Sequence, residues 1–397
     1  MVFETAEIGS IKLKNRIIRS ATHEGLADEA GYPTGSLLKK YEVLARNDVG
    51  CIITGFAGIM QNGKSNSRNM LMIHDDSYID SYAQITQKIH EYQTPVILQI
   101  VHCGSQTRSK VTGFPTVAPT AIRNKSFNET LPKELSEQEI IEIILNFTDA
   151  IVRAKKAGFD GVQLHIAHGF LLSEFLSSYS NRRTDKWGGT TENKFRIIRE
   201  ILDQAKFRVE DFPVLVKLNA HDGRRGGMTL AESVEIAQML EKSGCAAIEV
   251  SCGVHEDGLY TVRGDILPVD AAFRYNFRYK SYPKIVKGLA KQIVPLLTKK
   301  IKPYTGYNIA YAYEIRKNVS IPVIVVGGIR SIAEINKIIS EKKADFVSMS
   351  KPFIIEPNIV KKFKDGAQPK SRCIDCNYCT IAAEEESLKC YYGRLKK

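Results

Sequence analysis

Short apolar, β-branched runs alternate along this chain with longer stretches whose apolar positions recur every three to four residues. The first pattern reads as buried strands and the second as amphipathic helices. Strands are predicted at 16–21, 50–55, 95–101, 161–166, 213–219, 246–251, 322–328 and 344–350. Helices are predicted at 36–48, 77–93, 136–157, 191–209, 229–243, 309–318, 331–342 and 356–365. Ser136 supplies a cap to "EQEIIEIILNFTDAIVRAKKAG", a stretch that closes on glycine. Eight strands alternating with eight helices predict an α/β fold, a (β/α)8 TIM barrel over residues 1–365. An open doubly wound sheet would place GxGxxG after the first strand, and the chain has none there.

Composition changes this picture little. Of 397 residues 43% are hydrophobic and 25% charged, enough for one large core. The net charge of +12 favours anionic ligands but falls short of a nucleic-acid binder. No apolar run reaches the length of a membrane span, and residues 1–20 lack a leader's apolar block. The expectation is a cytoplasmic protein without a membrane span.

In a barrel the carboxyl ends of the strands converge on the face where active sites are built. The polar residues predicted there are His23, Gln99, His165, His168, Lys217 and Ser251. His165 and His168 stand three apart in "HIAHGF", where a strand ends and a loop begins. They could be core side chains, metal ligands or hydrogen-bond donors to a substrate oxygen. No cysteine or carboxylate stands at ligand spacing from them, which weakens the metal reading.

The stretch "HIAHGFLLSEFLSSYSNRRTDKWGGTTENKFRIIREI" (165–201) resembles the signature of the Old Yellow Enzyme family of FMN-dependent oxidoreductases. So do "LKNRIIRSA", "VILQIVHCG", "IPVIVVGGI" and "ADFVSMSKPFIIEP", in the family's order over residues 1 to about 365. The resemblance implies FMN as cofactor and NAD(P)H as electron donor. It implies that Ala21 and Thr22 lie beside the flavin, that Gln99 binds its pyrimidine edge, and that Lys217 stands near N1. It places the flavin phosphate at Gly327, Gly328, Ser350 and Lys351, where many relatives have Gly-Arg in place of Ser-Lys. His165 and His168 match the pair that holds a substrate carbonyl or nitro oxygen over the flavin. His23 replaces a Thr or Cys common near N5, unless a one-residue shift puts Thr22 there. Phe170 replaces the tyrosine that protonates the alkene in most ene reductases. The segment 181–193 reads as structural, with Trp187 packed within it.

Beyond the barrel, residues 366–397 form a short C-terminal cysteine-rich extension. Cys373, Cys376, Cys379 and Cys390 have the spacing C-x2-C-x2-C-x10-C. This resembles the cysteine motif of trimethylamine dehydrogenase and 2,4-dienoyl-CoA reductase, which implies a [4Fe–4S] cluster; a tail without metal and a zinc site are the weaker readings. Cys51, Cys103, Cys245 and Cys252 read as reduced packing residues. Residues 271–313 carry nine Lys or Arg, seven Tyr and no acid. The stretch 271–308 is expected to be an insertion on the active-site face, either a solvated loop with one helix (284–297) or a lid attracting an acidic group.

The leading function is NAD(P)H-linked reduction of an activated C=C, an enone or enoate, held by the histidine pair. The substrate would be a small molecule, anionic if the insert binds it. One alternative is a dehydrogenase passing electrons through FMN and a cluster to a partner protein. Another is a flavin electron carrier with no substrate of its own, which the histidine pair disfavours. The sequence leaves a homo-oligomer open.

Overall fold

The computed structural model describes residues 1–124, 126, 131–256, 261–264, 269–276, 279–297 and 305–391. Eight parallel strands close into a barrel: β1 (Ile17–Arg19), β2 (Cys51–Ile53), β3 (Val96–Val101), β4 (Gly161–Ile166), β5 (Val214–Asn219), β6 (Ile248–Ser251), β7 (Val323–Val326) and β8 (Phe346–Met349). Each pairs with its neighbours in chain order, β8 pairs back to β1, and β3 pairs with β4 to complete the ring. Each predicted strand segment contains one of these strands.

The outer helices are α1 (Gly35–Ala45), α2 (Ile79–His90), α3 (Glu137–Lys156), α4 (Thr191–Val209), α5 (Leu230–Lys242), α6 (Ile309–Arg316), α7 (Ile332–Ser340) and α8 (Ile359–Lys364). Ser136 with Glu139 and Thr229 with Glu232 form capping boxes that fix where α3 and α5 begin. The main core fills the layer between strands and helices. A smaller core inside the barrel contains Ile18, Cys51, Ile97, Leu215, Ile324 and Phe346. The hairpin Ala6–Ile8 and Ile11–Leu13 packs Ile8, Ile11 and Leu13 onto that inner core. Apolar packing therefore leaves the polar strand ends to the opposite, carboxyl face.

Between β6 and α6 the chain adds the helices Val269–Tyr275 and Lys284–Leu297, which pack against each other. The insert reaches the cysteine-rich tail through Asn276 Nδ2 to Glu384 Oε2 at 2.9 Å and Lys280 Nζ to Glu385 Oε1 at 2.6 Å. Residues 277–278 and 298–304 of the expected lid lie outside the described residues. Among the described residues no helix is long and apolar enough to cross a membrane.

Candidate active site

The strands bring the predicted residues onto one barrel mouth. Parallel register sets Gln99 beside Gln163, His165 beside Lys217, and Lys217 beside Glu249. These side chains form a buried chain of contacts. Gln99 Nε2 donates to Gln163 Oε1 (2.6 Å), and Gln163 Nε2 donates to Glu249 Oε2 (2.8 Å). Lys217 Nζ lies 3.0 Å from the same carboxylate and donates to Ser20 Oγ at 3.0 Å. Ser20 and Ser348 hydroxyls donate to Glu249 Oε1, each at 2.6 Å. Burial opposes ionisation of Glu249, but Lys217 and these three donors outweigh it and hold the carboxyl below its ordinary range. Gln163, Glu249 and the two serines were not singled out from the sequence.

His165 ends β4, and His168 stands in the turn that follows with φ of 63°. Few side chains adopt that conformation; Gln106 Nε2 steadies it by donating to the His168 carbonyl at 2.8 Å. The two imidazoles lie 5.0 Å apart, edge to face. His165 Nδ1 accepts weakly from Ala167 N at 3.4 Å, which leaves Nε2 to carry the proton. His168 Nε2 meets Ser251 Oγ at 2.7 Å. Burial, then the charges of neighbouring groups including Lys217 and His255, hold both imidazoles well below their ordinary pKa. At neutral pH they are uncharged hydrogen-bond donors. Among the described residues no cluster of three or more His, Cys, Asp or Glu is placed for a single metal ion.

Phe170 packs edge-on against His165 at 4.7 Å and lies 5.8 Å from Phe56. His255, in the loop after β6, stacks with Phe170 at 6.3 Å, and its backbone N–H donates to the His168 carbonyl. His255 was not anticipated; only its position just past a predicted strand end could have flagged it. His23 stacks on Phe56 at 5.3 Å, with Nε2 3.1 Å from the Arg68 carbonyl. Thr22, by contrast, shares a 2.8 Å hydrogen bond with Ser350. Ala21 adjoins the inner core one residue earlier. The segment 181–193 is structural: Trp187 is buried and Asn181 Nδ2 donates to the Trp187 and Phe175 carbonyls, both at 2.8 Å.

Gly327 and Gly328 take φ of 132° and 69°, a backbone that favours glycine. Arg263, buried, sets its guanidinium 4.6 Å over Tyr307, and Tyr307 in turn crowds Gly327. Lys351 Nζ donates to the Arg263 carbonyl (3.0 Å), Asp375 Oδ1 (2.9 Å) and Asn377 Oδ1 (2.6 Å). This donor set would suit FMN, with an amide to bind the pyrimidine edge, an ammonium to offset the charge of the reduced ring, and hydroxyls and glycine backbone to bind the phosphate.

The four tail cysteines are half-buried and line one cavity of about 20 Å³ with Lys351 and Tyr391. The other four cysteines are buried and reduced, as expected.

The closed barrel carries paired neutral imidazoles, an amide and a buried lysine at its carboxyl mouth. The chain belongs to the NADH:flavin oxidoreductase / NADH oxidase family, the Old Yellow Enzyme family, whose model matches residues 1–298. It is 35% identical over 379 residues to an NADH oxidase of Thermoanaerobacter brockii, covering 95% of this chain and 52% of that protein. The chain thus spans about half the length of the curated relatives it matches. A 2-naphthoyl-CoA reductase complexed with 2-naphthoyl-CoA superposes with TM-score 0.82 at 22% identity, covering 98% of this chain and 56% of that one. The Old Yellow Enzyme homologue of Zymomonas mobilis superposes with TM-score 0.75 at 22% identity, covering 97% and 96%.

Proposed function

We propose that the protein is an NAD(P)H-linked reductase of an activated C=C, and that His165 and His168 hold the substrate's carbonyl oxygen. The observation that carries this is the pair itself: two adjacent imidazoles, both uncharged at neutral pH, at the end of β4. Bound FMN supplies the hydride. The chain's part is to orient and polarise. Two N–H donors on the oxygen draw electron density from the alkene, and they are fixed before substrate arrives. Ser251 and Gln106 hold His168 in place, and Phe170 presents an apolar wall beside the pair. Burial lowers the pKa of His255, across Phe170, so that imidazole is uncharged too; with no phenol at 170, the proton that completes the reduction comes from solvent. Lys217 and Gln99 would sit against the flavin's pyrimidine edge, with Glu249 moderating the lysine's charge.

NADH or NADPH consumption with an enone panel tests this reading. Enone-dependent turnover in excess of oxidase activity supports it, and turnover confined to oxygen contradicts it.

A second reading is favoured by the tail. Four cysteines around one cavity, together with Phe170 in place of a phenol, suit a dehydrogenase exporting electrons to a partner protein. Cys373, Cys376, Cys379 and Cys390 would hold the [4Fe–4S] cluster that carries them. The basic insert suits an anionic substrate or an acidic partner in either case.

A further inference from the structure

The tail is tied to the barrel at the place where a flavin phosphate would sit. An ammonium has three N–H donors, and Lys351 uses all three on Arg263, Asp375 and Asn377. It has none to spare for a phosphate oxygen. The other oxygen of Asp375 lies 2.9 Å from Arg330 Nη1, which also donates to the Cys373 carbonyl at 3.3 Å. Asp375 stands between two of the tail cysteines, and its side chain is only 4% exposed. So one buried carboxylate joins cations from the ends of β7 and β8. Asp375 and Asn377 both hold positive φ, 55° and 59°, a turn conformation that Asp and Asn adopt more readily than most side chains. The packing is close: a Cβ on Gly264 would meet the Asp375 carbonyl at 2.2 Å. The chain just before this loop is secured separately, by buried Glu356 accepting from Ser371 Oγ (2.9 Å) and Arg372 N (2.7 Å).

We propose that Lys351 is a positioning residue that clamps the Asp375 loop of the tail against the phosphate end of the flavin site, so that tail docking and FMN binding stabilise each other. The inference rests on the FMN reading and assigns Lys351 no direct phosphate contact. Lys351 would act by fixing its own backbone at 350–351 and the 263–264 segment, which packs between the tail and the Tyr307 side of the site. A phosphate-binding lysine and a clamping lysine make opposite predictions for Asp375. If Lys351 bound phosphate, Asp375→Asn would free it and tighten FMN. If Lys351 clamps the tail, the same change releases the tail and loosens FMN.

The test measures FMN affinity of the deflavinated full chain by fluorescence quenching, with hydrogen exchange read across residues 371–391. Asp375→Asn and Lys351→Met should each weaken FMN about tenfold, the size of a typical coupling, and speed exchange in the tail. The double variant should be no worse than either single change. Coupling is reciprocal, so FMN added to wild type should slow tail exchange by a similar factor; this arm needs no variant to fold. Tighter or unchanged FMN binding by Asp375→Asn, or FMN binding to wild type without slower tail exchange, overturns the clamp. Wild type that takes up no FMN overturns the flavin reading itself, and the clamp with it.

Discussion

Both imidazoles of the pair are uncharged at neutral pH, and this fixes what they can do: donate hydrogen bonds, not counter-charge. Replacing His165 or His168 by alanine should weaken a phenol ligand by about 0.5–1.5 kcal/mol for each lost neutral hydrogen bond. Spectral titration measures this, and unchanged affinity in the double variant would remove the pair from the site. The depressed pKa values also carry a stability sign. The unfolded imidazoles take up protons near 6.5 while the folded ones do not, so stability is retained above that pH and lost as pH falls below it. The spacing of His165 and His168 made them legible as a pair at a strand end, while the role expected of them came from the resemblance carried by 165–201. His255 was not, because a loop residue carries no periodicity to announce which wall it will face.

At the scale of single elements, the barrel's interior polar layer depends on pairing between strands. Lys217 on β5 and Glu249 on β6 are register partners, and Glu249 is fully buried. Glu249→Gln leaves Lys217 without its carboxylate and should cost about 3–5 kcal/mol, read by urea unfolding. Retained stability would mean that the pair is not coupled. The apolar run "AAIEVS" marks β6 correctly but hides its one charge, since the register that supplies a counter-ion is set by barrel closure. The helix Leu171–Leu176 shows the same blind spot. It holds Glu174 buried against Ser105, and burial raises the carboxyl to about 8. Folded Glu174 therefore keeps a proton that the unfolded chain releases from about 4.5 upward, and stability is lost as pH rises between these values. Glu174→Gln should stabilise progressively over that range, by up to about 1.4 kcal/mol per pH unit. A stability gain independent of pH would refute the assignment.

For the whole molecule, strand and helix order was readable throughout, because each apolar run and each cap acts locally. How the tail meets the barrel was not, since Lys351, Arg330 and Asp375 converge only after the ring closes. Protein prepared anaerobically should carry iron and sulfide in near-equal amounts on the tail cysteines, checked by metal analysis; stoichiometric zinc without iron would refute the cluster. Phe170→Tyr should raise enone turnover, by as much as the roughly 10²–10⁴-fold that a placed proton donor contributes. The central claim is that the histidine pair activates a carbonyl-conjugated alkene above the flavin. Anaerobic stopped-flow mixing of the reduced enzyme with 2-cyclohexenone tests it most directly. The account predicts rapid return of the oxidised flavin absorbance in wild type and its slowing by orders of magnitude in the His165→Ala, His168→Ala double variant. Reoxidation at equal rates in both proteins, or none in wild type, would contradict it.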